Sequence, residues 1–190
     1  MTERHFKLKI GKGTADFSIP EEQLLYELVG ENLAPPEDLA AAYLNALAHP
    51  IDSPPLSEIV NPGETVAIAV SDITRVWQHN ELTLPLLIDY LNQAGIADKD
   101  ITIIIAVGAH RQNTAQELEE LCTKAICRRV KVINHNAWDK DNMVYYGKTS
   151  RGTEASFNRV VAEADRVILT GGVIYHYMVV LGMQKYHLLA

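Results

Sequence analysis

Apolar positions along this chain fall into short β-branched runs, separated by stretches with helical spacing. Residues 66–70, 101–107 and 166–170 are nearly continuous in Val, Ile, Leu and Ala. Such runs read as strands buried on both faces, the habit of a parallel sheet. Between them, residues 82–93 carry apolar side chains at 82, 84, 86, 87, 88 and 91, which predicts a helix closed by Gly95. Asn113-Thr114 predicts a cap for a helix from Ala115 to about Cys127, with Glu117, Glu119 and Glu120 in its first turns where the dipole favours them. Val130–Ile133 predicts a short strand, 144–147 and 153–157 a hairpin, and 160–164 a short helix. Towards the N-terminus, residues 6–19 alternate around Gly11-Lys12-Gly13 and predict a β-hairpin, and Pro35–Leu47 has helical spacing behind a Pro-Pro-Glu-Asp first turn. Strand, loop and helix then repeat. The expected fold is α/β: a mostly parallel, doubly wound, Rossmann-like sheet with helices on both faces and an N-terminal β-hairpin.

In such sheets ligands bind where the carboxyl ends of the strands meet their loops. Three successive runs here end in loops with ionisable groups: Ser71-Asp72-Ile73-Thr74-Arg75, Gly108-Ala109-His110-Arg111, and Gly171-Gly172-Val173-Ile174-Tyr175-His176. An arginine just past a buried strand can hold a carboxylate or phosphate through two parallel hydrogen bonds. Asp72 and Thr74 would orient Arg75 or bind a hydroxyl; alternatively Asp72 merely caps the turn and Arg75 faces water. His110 has the side chain suited to carrying protons near neutrality, or is a loop histidine without a chemical role. Arg111 binds an anion or faces water. Gly171 and Gly172 would admit a ligand close to the backbone ahead of His176. His135 is a weaker candidate from the same edge, and His5, His49, His79 and His187 read as surface or terminal residues. No complete Gly-x-Gly-x-x-Gly, P-loop or Gly-x-Ser-x-Gly pattern is present, and no zinc-type spacing.

Composition narrows the classes without choosing among them. The 190 residues suit one domain, or a domain with a small appendage; 47% are hydrophobic and 22% charged, near globular averages. The net charge of −7 argues against nucleic acid or an anionic membrane as partner. Cys122 and Cys127 do not form a Cys-x-x-Cys pair, and the N-terminal residues lack the apolar stretch of a signal peptide, so a reducing cytoplasm is expected.

Taken together, Asp72-Ile73-Thr74-Arg75, Gly108-Ala109-His110-Arg111 and Gly171–His176 resemble the nickel-pincer-dependent lactate racemase family, in this order and spacing. The resemblance runs from the N-terminal hairpin to about Met178. It implies a racemase-type isomerase acting on 2-hydroxy acids through hydride removal and return, with a nickel pincer nucleotide (pyridinium-3,5-bisthiocarboxylic acid mononucleotide nickel) as cofactor. By the same resemblance His110 and His176 are the two bases, Arg75 holds the substrate carboxylate with Asp72 and Thr74 beside it, and Gly171, Gly172, Arg111 and Lys185 lie on the cofactor side. The family's glycine-rich run into lysine is not matched after Met178; Lys185 falls one place early. The expected organisation is therefore a racemase-like N-terminal domain over 1–178 and an aberrant tail over 179–190, with the C-terminal domain absent. A chain of that kind is expected to be inactive alone, to lose the cofactor, and to self-associate through an exposed interdomain face. The alternative is an anion- or nucleotide-binding module without catalysis.

Overall fold

β-Branched side chains pack well on a pleated surface, and three of the apolar runs form adjacent parallel strands. The computed structural model describes residues 2–30, 34–176 and 180–183. It separates into two compact units, Met1–Pro36 and Glu37–Ala190. The first unit is the expected hairpin: β1 (Glu3–Ile10) pairs antiparallel with β2 (Gly13–Pro20), with Phe6 opposite Phe17 and their rings stacked at 5.3 Å.

The second unit begins with α1 (Leu39–Ala48), whose Asp38 side chain accepts from the Ala41 amide, and the short α2 (Leu56–Ile59). There follow β3 (Val66–Ser71), α3 (Asn80–Gln93), β4 (Ile101–Ala106), α4 (Ala115–Cys122), α5 (Lys124–Arg129) and β5 (Lys131–Asn134). The predicted second hairpin is β6 (Met143–Lys148) with β7 (Glu154–Asn158); α6 (Arg159–Glu163), β8 (Arg166–Leu169), β9 (Val173–His176) and β10 (Val180–Met183) complete the order. The main sheet runs β5-β4-β3-β8, every neighbour parallel, with Val66 level with Ile101 and with Arg166.

Alternate residues of each strand serve opposite faces. Val66, Ile68 and Val70 join Ile101, Ile103 and Ile105 in the main core, where Leu84, Leu87, Ile88 and Leu91 of α3 cover them with Leu121, Cys122 and Ile126. Ala69, Ile104 and Ala106 face the other way, against Ile133 and Val161 of α6. Helices thus lie on both faces, but unequally. The last strand departs from the expectation of two buried faces: Val167 is 43% and Leu169 56% exposed. β8 is an edge strand, and the five residues of α6 do not reach over it.

A second departure concerns the helix expected over 115–127, which is two helices. Thr123 between them adopts φ 68°, ψ 149°, and its hydroxyl accepts from the Ile126 amide. A threonine side chain that bonds local backbone competes with helix continuation and starts a new helix instead. The cap falls at the expected Asn113-Thr114, with Thr114 as the cap residue, and Glu117 completes a reciprocal capping box with it.

Candidate active site

The chain lays down β3, β4 and β5 in one direction and then returns to place β8 on the far side of β3. That reversal is a topological switch point, where loops diverge and leave a crevice beyond the carboxyl ends. The loops after β3, β4 and β8 are the three that carry the sequence candidates.

Asp72 directly follows β3 and is 5% exposed. One carboxylate oxygen, Oδ1, accepts from the Thr74 amide at 3.2 Å and the Thr74 hydroxyl at 2.5 Å. The other, Oδ2, lies 2.6 Å from His110 Nδ1. Asp72 therefore caps its turn, as the plainer expectation had it, and also engages the candidate base across from β4. A carboxylate only accepts, so the proton of this bond belongs to His110 Nδ1, and Nε2 is left with a lone pair. His110 sits on a tight turn, its amide donating to Val107 O at 3.0 Å, with Gly108 at φ 58°. A side chain at 108 would be strained in that left-handed conformation.

Arg75 extends the same chain of hydrogen bonds. Its guanidinium donates to the Thr74 hydroxyl at 2.7 Å, and that hydroxyl donates to Asp72. Arg75 makes no ion pair among the described residues, where its guanidinium donates only to the Thr74 hydroxyl and carbonyl oxygens. Arg111 differs. It forms a two-pronged pair with Glu117 at 2.8 and 2.6 Å, and that arginine holds the Glu117 carboxyl down at about 2.

Gly172 leads into β9. A Cβ built there would lie 3.0 and 3.1 Å from Trp77 ring carbons, so the space freed by this glycine is taken by the indole. Gly171 is exposed at the same turn. His176 closes β9 and pairs with Val180 of β10. The side chain of His176, and Lys185 altogether, lie outside the described residues.

Several asparagines and a histidine complete the site, and the sequence did not single out their roles. Asn113 accepts from the Ile73 amide at 3.1 Å and exchanges bonds with Asn134, joining the loops after β3, β4 and β5. His135 is fully buried, with Nδ1 3.1 Å from Asn158 Nδ2. Segments Val107–Gln112 and His135–Trp138 wall an open cleft of about 310 Å³. His135, one place past β5, was the available signal; the partners of these residues, 21 to 40 residues away, were not.

No group of three or more His, Cys, Asp or Glu side chains suited to a metal ion occurs among the described residues. Burial pushes the Cys122 thiol up to about 12, so it is no thiolate ligand or nucleophile near neutrality. No helix of the described residues is long and apolar enough to cross a membrane.

Comparison with known proteins matches this framework. The model of the lactate racemase N-terminal domain covers residues 10–183. A lactate racemase of Thermoanaerobacterium thermosaccharolyticum is 26% identical over 179 residues, 91% of this chain and 41% of its own length. One from Lactiplantibacillus plantarum is 29% identical over 180 residues, 90% of this chain and 40% of its own. The chain thus spans about two fifths of the length of these curated relatives. The structure of the T. thermosaccharolyticum lactate racemase apoprotein superposes with a TM-score of 0.82 at 22% identity, over 98% of this chain and 44% of that one. The chain belongs to the lactate racemase N-terminal domain family.

Proposed function

We propose that this chain is the N-terminal part of a racemase or epimerase of 2-hydroxy acids, and that it supplies the proton-handling and carboxylate-binding half of the site. The observation that carries the reading is the Asp72–His110 pair at 2.6 Å. A buried carboxylate on Nδ1 fixes the imidazole's tautomer and orientation, stabilises the imidazolium that forms, and directs Nε2 outward as a general base. Nε2 takes the proton of the substrate hydroxyl as the adjacent C–H bond breaks. His176 is proposed as the second base, serving the opposite enantiomer. Arg75 holds the carboxylate with the donors that Thr74 leaves free, while Thr74 and Asp72 keep the guanidinium in place.

A nickel pincer nucleotide would supply the hydride acceptor in the complete protein. The described residues do not by themselves form its seat: Arg111 is matched by Glu117, the space beside Gly172 is filled by Trp77, and no metal-ligating group is assembled. Of the expected cofactor neighbours, Gly171 and Lys185 remain proposed, while Arg111 and Gly172 are engaged by Glu117 and Trp77 instead. The chain alone is proposed to be inactive and not to retain the cofactor, to reside in the cytoplasm, and to self-associate.

The test is loss of optical purity of single enantiomers from a panel of 2-hydroxy acids in D2O, with the complete cofactor-loaded protein. Racemisation without deuterium at the α-carbon is expected, because hydrogen that moves as hydride does not exchange with solvent; no racemisation across the panel, or racemisation with deuterium gained from D2O, rejects the reading. A binding module without chemistry is favoured by one observation, the unmatched guanidinium of Arg75. It requires ligand-induced melting shifts that vanish in Arg75→Ala and persist in His110→Ala, with no racemisation.

A further inference from the structure

Asn158 fixes the protonation of His135. Its Oδ1 accepts from the Val160 amide at 3.0 Å, at the start of α6, so its amide nitrogen is the group that faces His135 Nδ1 at 3.1 Å. An amide nitrogen only donates, so Nδ1 accepts and the ring proton resides on Nε2. Burial acts in the same sense, holding the ring neutral by pushing its pKa down. His135 is 0% exposed, and Nε2 has no hydrogen-bond partner among the described residues. Buried N–H groups left unpaired are costly, and nearly all in folded proteins find a partner. His135 lines the cleft that the His110 loop also lines. The cation on that wall, Arg111, is already paired with Glu117.

We infer that His135 is a ligand-binding residue, whose Nε2–H donates to an oxygen of a small carboxylate- or phosphate-bearing molecule held in the cleft beside His110. The acceptor chemistry is common to a hydroxy acid and to the phosphate of a nucleotide. The inference rests on the proposed function only in taking this cleft as the substrate side of the site. His135 adds a contact on the β5 loop, apart from the Asp72–Arg75 relay on the β3 loop.

The test uses the 15N-labelled full chain and long-range 1H–15N spectra of its imidazoles. His135, identified by the signal missing from His135→Phe, is expected to show the Nε2–H tautomer. Its Nε2 resonance should shift on addition of sodium lactate, of inorganic phosphate, or of both; lactate alone identifies a hydroxy-acid carboxylate, phosphate alone a phosphate group. His135→Phe should weaken the responding probe about tenfold, read at His110, and His135→Gln, which keeps an N–H at similar reach, should hold it within about twofold. A proton on Nδ1, an Nε2 that neither probe moves up to its solubility limit, or unchanged affinity in a folded His135→Phe each overturns the inference. If His135→Phe does not fold, the tautomer and the native-chain titration decide, with the signal identified from His135→Gln. The racemisation assay of the loaded protein reads a different event, so the two can fail separately.

Discussion

Asp72 presents two oxygens, and each has a different task. Oδ1 closes the turn with Thr74, and Oδ2 holds His110 Nδ1. Asp72→Asn separates the charge from the shape. Its amide would offer a donor to Nδ1 and drive the proton to Nε2, removing the lone pair. The complete loaded protein should then lose about 10²–10⁴-fold in racemisation rate with little change in melting temperature. Gly172 offers a purely steric test. In Gly172→Ala the added methyl meets Trp77 at about 3 Å, closer than carbon atoms pack. In a Trp138→Phe background, where Trp77 is the single tryptophan of the chain's two, its fluorescence maximum should move while circular dichroism stays unchanged. An unmoved maximum would mean that the indole does not rest on this glycine.

At the scale of elements, burial sets what a substitution costs. Ile103, in the middle of β4, is 0% exposed, so Ile103→Ala should cost about 2–5 kcal/mol in urea unfolding. Leu169 on the edge strand is 56% exposed, and Leu169→Ala should cost about 0.5 kcal/mol or less. Equal losses at the two positions would contradict the placement of β8 at the sheet edge. The break between α4 and α5 has its own signature. Thr123 at φ 68°, ψ 149° occupies a region that glycine enters freely and other residues enter at a cost of roughly 1–3 kcal/mol. Replacing a threonine cap with glycine costs only a few tenths of a kcal/mol. Thr123→Gly is therefore expected to stabilise the protein by about 1 kcal/mol, measured by the same urea titration. This break was not visible in the sequence, because the apolar positions from Leu118 to Cys127 suit one helix as well as two.

At the scale of the whole molecule, Glu64 and Arg166 join the starts of β3 and β8, at the edge of the sheet opposite the site, through two bonds of 2.8 Å. The Arg166 guanidinium, with Asn61, lowers the Glu64 carboxyl from 4.5 to about 2. A carboxyl lowered in the folded state contributes stability above its unfolded pKa and loses it as pH falls through its folded one. The melting temperature should thus fall as pH drops from about 4.5 towards 2, and Glu64→Gln should flatten the profile in that window. Strand type, the N-terminal hairpin, the capping box and the three polar loops were legible in the sequence, because periodicity and local hydrogen bonding act over a few residues. The family resemblance added roles to those loops and left their meeting untested. That His110 reaches Asp72 and that His135 sits against Asn158 were decided by the tertiary structure. The partners in these pairs lie 38 and 23 residues apart. The parallel pairing of β3 with β4 brings His110 to Asp72, and the packing of α6, which starts after Asn158, against the sheet brings Asn158 to His135.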